Sequence, residues 1–387
     1  MNLDELLARV IETGGSDLHL KVASPAMVRV DGELRPLEQR LLTDSDLETV
    51  LLVVTERTPA KREAFLESGD LDTSYLADGI GRFRVNGFRQ RGSISFAFRF
   101  VPKEIPSFEK LGLPAGVAKL AEEHRGLVLV TGATGSGKST TLAAMISWIN
   151  KNRRQHIVTI EDPIEFVHDD WACIVNQREV GLDTESFQQA LRRVLRQDPD
   201  VILLGELRDE ETAQTALQAA ESGHLVFSTL HTLDAAETVG RLVEFFPAAK
   251  QTMVRQVLAG VLRGVISQRL LPRKDGGRVA AVEVLVNTAR IADLIREPEK
   301  TEGITDAIEE GSFHHMQSFS QHLVRLVVED VVDREVAAAA ATNRHDFEIA
   351  VERALRESSA VAAVAAEDEP GAPEDEPVPG LRLAASE

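Results

Sequence analysis

One octapeptide limits the fold more than anything else in the chain. Gly132-Ala133-Thr134-Gly135-Ser136-Gly137-Lys138-Ser139 meets the spacing G-x-x-x-x-G-K-[S/T]. Its flanks give the pattern weight. Leu127-Val128-Leu129-Val130-Thr131, just before it, is a short branched apolar run suited to a buried parallel strand. Just after it, Leu142, Met145, Ile146 and Ile149 recur at helical spacing. Strand, glycine loop and helix in this order predict an α/β domain with the loop at the carboxyl end of a strand. A chance glycine turn ahead of a core helix is the competing reading, and it leaves the flanks unexplained.

Each residue type in the loop has a physical reason. Gly132, Gly135 and Gly137 allow a tight turn whose N–H groups face phosphate oxygens, and the helix behind them adds partial positive charge. The cradle is therefore assigned to Gly132, Thr134, Gly135, Ser136, Gly137, Lys138, Ser139 and Thr140. Lys138 neutralises β/γ-phosphate charge, and the Ser139 hydroxyl completes a Mg²⁺ coordination sphere. These features predict a nucleoside triphosphatase.

Splitting a triphosphate with water takes a metal clamp and a group that orients the water, tasks that carboxylates at strand ends perform. Two segments offer them: Thr159-Ile160-Glu161-Asp162-Pro163-Ile164-Glu165, and the apolar run Val201 to Leu204 followed by Gly205-Glu206. In many phosphate-loop enzymes an aspartate ends that second strand; here the carboxylate is Glu206. A third strand candidate carries His224 at its beginning and His231 near its end. Either histidine suits a γ-phosphate contact or a polar joint between subunits, although each taken alone suits a structural role better.

The chain has 387 residues, more than one ordinary hydrophobic core, so two domains and a tail are expected. Alternation in Asp17-Leu18-His19-Leu20 and Met27-Val28-Arg29-Val30, the Asp31-Gly32 turn signal and the run Ile94, Phe96, Phe98, Phe100 predict an α+β domain over residues 1–100. Prolines and glycines mark a linker over 101–121. Alternating strand and helix patterns over 122–355 predict a mainly parallel sheet between helices. Residues 356–387, rich in acid and proline, are expected to be a disordered tail. The lone cysteine, Cys173, excludes a disulfide framework and a multi-cysteine zinc site. No apolar run approaches the ~20 residues of a membrane span, and Asp4 and Glu5 stand where an export signal is basic; a cytoplasmic protein is expected. A formal net charge of −19 argues against broad nucleic-acid binding.

Taken together, the segments 132–140, Thr159 to His168, Asn176-Gln177-Arg178-Glu179-Val180-Gly181, Gly205-Glu206-Leu207-Arg208-Asp209 and Gly223 to Thr232 closely resemble the PilT-type retraction ATPases of type IV pili. The resemblance extends back through Arg82-Phe83-Arg84-Val85-Asn86 and forward to Met316-Gln317-Ser318-Phe319, leaving out only the tail. It implies a homohexamer with a PAS-like N-terminal domain and a RecA-like ATPase domain, using ATP and Mg²⁺. In that family's pattern Glu165 corresponds to the water-activating base, Glu206 to the metal carboxylate, and His224 and His231 to the histidine box. Arg82, Arg84, Arg125 and Arg241 match segments whose arginines reach ATP across domain or subunit boundaries. The implied partners are an inner-membrane pilus platform protein and a paralogous pilus ATPase, with the ring peripheral to the membrane at the pilus base. The related extension and secretion ATPases commonly carry a four-cysteine zinc module that one cysteine cannot build. A departure falls in the late helix, where Arg290-Ile291-Ala292-Asp293 alters the first half of the pattern and Leu294-Ile295-Arg296-Glu297 keeps the second. Further alternatives are a non-hydrolysing regulatory subunit and a RecA-like nucleic-acid translocase.

Overall fold

A computed structural model describes residues 1–367. Its N-terminal domain is built from α1 (Leu3–Glu12), β1 (Asp17–Lys21), β2 (Met27–Val30), β3 (Glu33–Pro36), α2 (Asp44–Val54), α3 (Pro59–Ser68), β4 (Asp70–Ala77), β5 (Gly81–Gln90) and β6 (Ser93–Val101). The strands form one antiparallel sheet in the order β3-β2-β1-β6-β5-β4. Asp31 and Gly32 both take positive φ (50° and 85°), the two-residue turn that closes a right-twisted hairpin. Phe83, Phe96 and Phe98 meet Leu7, Val10 and Leu47 in a closed core of their own.

The second domain begins earlier than the sequence pattern suggests. Phe108 and, in α4 (Ala115–Ala121), Val117 and Leu120 are buried in the core shared with the sheet that follows. Residues 108–121 therefore belong to this domain, and the connection proper shrinks to the proline-marked stretch after Val101. Apolar residues spaced along a short helix bury area whether or not prolines and glycines surround them, and that burial decides the assignment.

From there the chain runs β7 (Gly126–Thr131), α5 (Lys138–Asn152), β8 (His156–Glu161), β9 (Ile174–Glu179), α6 (Phe187–Val194), β10 (Val201–Leu204), α7 (Glu210–Glu221), β11 (Leu225–Leu230), α8 (Ala235–Glu244), α9 (Ala248–Val261), β12 (Leu262–Pro272) and β13 (Arg278–Val286). The seven strands lie in the order β13-β12-β7-β11-β10-β8-β9, parallel except for the β12–β13 pair. Helices α5 and α4 cover one face of the sheet, and α6 through α9 cover the other. Buried strands such as Val201-Ile202-Leu203-Leu204 are apolar throughout because both faces are covered.

Helices α10 (Ala289–Arg296), α11 (Ile304–Glu309), α12 (Phe319–Val328), α13 (Arg334–Ala340) and α14 (Arg344–Glu367) close the domain, the last three around Phe319, Leu323 and Phe347. Helix α14 continues beyond residue 356, where the tail was expected to start. The sequence from Ser358 to Ala366 is rich in alanine and has no proline before Pro370, so nothing stops the helix. The remainder of the expected tail lies outside the described residues.

Candidate active site

A cleft of about 790 Å³ opens at the carboxyl ends of the parallel strands, with the glycine loop on one wall and the Asp162-Pro163-Ile164-Glu165 loop on another. Strand polarity puts it there: β7, β8, β10 and β11 all end on this edge, which is where open α/β sheets present their ligand sites.

The glycine loop is shaped by backbone demands. Gly132 has φ of 138°, and a Cβ there would come within 2.4 Å of the Gln268 carbonyl oxygen. Gly137, at φ 92°, is the N-cap of α5. Lys138 Nζ donates to the carbonyls of Gly132 (2.7 Å) and Ala133 (3.1 Å), so the ammonium sits at the centre of the loop. Burial lowers the Lys138 pKa, and the negative charge of Glu165 opposes that shift. Ser139 and Thr140 line the same cleft.

Opposite stand the acids. Glu206, just past β10, pairs with the Arg208 guanidinium through one oxygen, while the other lies 3.1 Å from His231 Nε2. Burial, followed by the nearby charges of Lys138 and Arg208, lowers the His231 pKa, so the ring is neutral at pH 7. Glu165 Oε1 accepts from Arg84 Nη1 at 3.3 Å, an ion pair that joins the two domains across the cleft. Glu161, at the end of β8, is buried beneath this loop. Its carboxylate accepts from Thr159 Oγ1 (2.6 Å), Gln177 Nε2 (3.2 Å) and the Glu165 amide (3.5 Å). Burial raises its pKa, these hydrogen bonds oppose that, and Glu165 adds to it.

The cleft thus unites Thr134, Gly135, Gly137, Lys138, Ser139, Thr140, Glu165, Glu206, His231 and Arg84. Gly132 and Ser136 shape the loop from behind, the Ser136 hydroxyl lying buried against Gly132. Four expected residues lie outside the cleft. His224 precedes β11, a strand of six residues, so it sits at the amino edge of the sheet, about 20 Å from His231. Its Nδ1 lies 2.9 Å from Ser222 Oγ and 3.0 Å from the Ala219 carbonyl oxygen. Arg125 precedes β7 at that same amino edge, and its carbonyl accepts from Arg263. Arg241, on α8, stacks over Phe245 at 5.2 Å and pairs with Glu244. Arg82 is engaged by the buried carboxylate of Glu179 at 2.6 Å. The cleft also brings in Arg99, Arg208 and Arg278, which the sequence reading did not assign.

The residues present suit Mg²⁺. Ser139 and Glu206 are hard oxygen donors that both line the cleft, and among the described residues no cluster of three or more acids, histidines or cysteines is placed to hold a metal alone. That donor set fits an ion shared with phosphate oxygens and water.

A glycine loop at a helix start, facing strand-end carboxylates at the carboxyl edge of a parallel sheet, defines a phosphate-loop ATPase with an appended α+β domain. The model of the family "Type II/IV secretion system protein" matches residues 1–333, and the chain belongs to that family. The chain is 45% identical over 348 residues to the type IV pilus retraction ATPase PilT of Pseudomonas aeruginosa, covering 90% of this chain and 100% of the relative. It is 42% identical to the type IV pilus ATPase PilU of the same organism, covering 91% of each. Among solved structures, that of the pilus retraction motor PilT with bound ADP superposes with a TM-score of 0.83 at 46% identity, covering 90% of this chain and 99% of that one.

Proposed function

We propose that this protein is an ATP-hydrolysing hexameric motor that powers type IV pilus retraction, and hence twitching motility, by rotating its N-terminal domain against its ATPase domain. The observation that carries the reading is the cleft itself: Lys138 and Glu165 face one another across it, and Arg84 of the other domain reaches the same carboxylate. Similarity to a pilus retraction ATPase along that relative's full length supports the assignment of the work.

In this reading the loop amides and Lys138 hold the β- and γ-phosphates, and Ser139 with Glu206 holds Mg²⁺. When bound, the ion would supply charge neutralisation. Glu165 orients the attacking water and takes its proton, and neutral His231 steadies Glu206 and meets the γ-phosphate. Arg84 is drawn from Glu165 to the developing charge once phosphate is present, because both groups border one cleft. Further arginines, including Arg125 and Arg241, would act from neighbouring protomers in the ring. The stretch after Val101 absorbs the rotation. The ring would lie in the cytoplasm against an inner-membrane platform protein; no helix among the described residues is long and apolar enough to cross a membrane.

A second reading is an accessory pilus ATPase. It is favoured by the similarity to PilU and by Arg290-Ile291-Ala292-Asp293 in the first half of α10. Cells lacking this protein decide between the readings. Surplus pili that do not retract support the retraction motor. Bald cells point to extension, and normally retracting pili reject the proposal.

A further inference from the structure

The motif at residues 176–181 spans the end of β9 (Ile174–Glu179) and the turn after it. Gln177 and Glu179 stand two residues apart on β9 and therefore on the same face of the strand. Gln177 Nε2 donates to the Phe166 carbonyl at 2.8 Å, and its Oε1 accepts from the His168 amide at 2.8 Å. Glu179 Oε2 accepts from the Ile164 amide at 3.0 Å. The loop that carries Glu165 is thus gripped on both sides of that residue.

The same oxygen of Glu179 also takes two donors from the N-terminal domain: Ser74 Oγ on β4 at 2.8 Å and Arg82 Nη2 on β5 at 2.6 Å. Glu179 is 1% exposed, so its charge depends on these partners rather than on water. Close by, Gly181 has φ of 78°, and a Cβ there would meet Lys61 Cε of α3 at 2.8 Å. The motif is therefore a seam: one edge holds the catalytic loop, and the other receives the N-terminal domain.

We propose that Glu179 is a positioning residue that couples docking of the N-terminal domain to the placement of Glu165. When the domain leaves, Arg82 and Ser74 go with it. That oxygen of Glu179 then loses two of its three donors, and the Ile164 amide beside Glu165 is left as the third, so the geometry of the Ile164–Glu165 segment changes with docking. Domain orientation and water placement are linked for that reason, and the linkage acts in both directions. The inference rests on the reading of Glu165 as the water-orienting carboxylate.

The test uses the full chain and follows steady-state ATP hydrolysis beside the affinity for a fluorescent ATP analogue. Glu179→Gln is expected to lower kcat about tenfold or more while KM and nucleotide affinity stay within about twofold. Ser74→Ala, whose hydroxyl reaches the catalytic loop only through Glu179, should lower kcat about threefold in the natural background and add nothing to Glu179→Gln. Ser74→Thr, which keeps the hydroxyl, should restore turnover. Turnover of Glu179→Gln within about twofold of the natural protein, or effects of the two substitutions that multiply, would overturn the coupling. Should Glu179→Gln fail to fold, the Ser74 pair decides: loss in Ser74→Ala with recovery in Ser74→Thr supports it, and equal rates overturn it. Glu165→Gln, assayed alongside, keeps the two claims apart. Full turnover there rejects the base assignment, whereas an inactive Glu165→Gln with an active Glu179→Gln rejects only the coupling.

Discussion

The glycine loop and the Glu165 loop face each other across one cleft yet are held in opposite ways. The first is held locally: Lys138 bonds carbonyls six and five residues before it, and the glycines supply the turn. The second is held by β9 next to it and also from the other domain. Arg84 reaches Glu165 across 81 residues of sequence, and Arg82 and Ser74 reach Glu179 across 97 and 105. A site divided this way separates two tasks. On the proposed reading, binding belongs to a structure that survives domain motion, whereas splitting the phosphate belongs to a structure that depends on it. A motor needs that division, because nucleotide must stay bound while the domains change places.

The largest effect expected from this division is on Lys138. Lys138→Ala removes the buried ammonium from the phosphate cradle, and affinity for MgATP should fall by about a hundredfold or more, with turnover lost in parallel. Titration of a fluorescent nucleotide reads it; unchanged affinity would show that the loop is not the binding element. Arg84→Ala addresses the other wall. Turnover should drop about tenfold with affinity changed by less than about threefold, since on the proposed reading Arg84 belongs to the domain that moves. An affinity loss as large as that of Lys138→Ala would erase the contrast between the walls.

A smaller effect is expected away from both loops, at Glu283 on β13, which accepts from the Ala235 amide at 2.8 Å and so anchors the start of α8. Burial first, opposed by that hydrogen bond and reinforced by Asp234, pushes its pKa up from 4.5 to about 7. The folded protein thus retains a proton that the unfolded chain releases at lower pH. Stability from this group is complete below pH 4.5 and declines as pH rises to about 7. Relative to the natural protein, Glu283→Gln should gain on the order of 2 kcal/mol in unfolding free energy between pH 5 and pH 8. Denaturant melts at the two pH values check it, and an offset that does not change with pH would contradict it.

How much of this was legible in the sequence follows the same division. The glycine loop was readable because its chemistry is written in eight consecutive residues and two flanks. Glu206 and His231 were readable because each follows an apolar strand. His224 and Arg125 come before their strands, and in a parallel sheet that alone sends them to the edge away from the cleft. Strand polarity was the signal that could have placed them. Glu179 carries no such local mark, because Ser74 and Arg82 reach it from the other domain, and Gln177 gains its role only once β9 lies beside the Glu165 loop. An acid ending the apolar run Ile157 to Ile160 was the one hint for Glu161. Prolines and glycines over residues 108–121 suggest a linker, although Phe108, Val117 and Leu120 carry the apolar content of a buried segment.

The most direct measurement compares nucleotide affinity with phosphate release in Glu165→Gln. The account predicts MgATP affinity close to that of the natural chain and phosphate release reduced by about a hundredfold or more. Release at the natural rate would contradict it, because the water would then be oriented by something other than the loop that both domains hold.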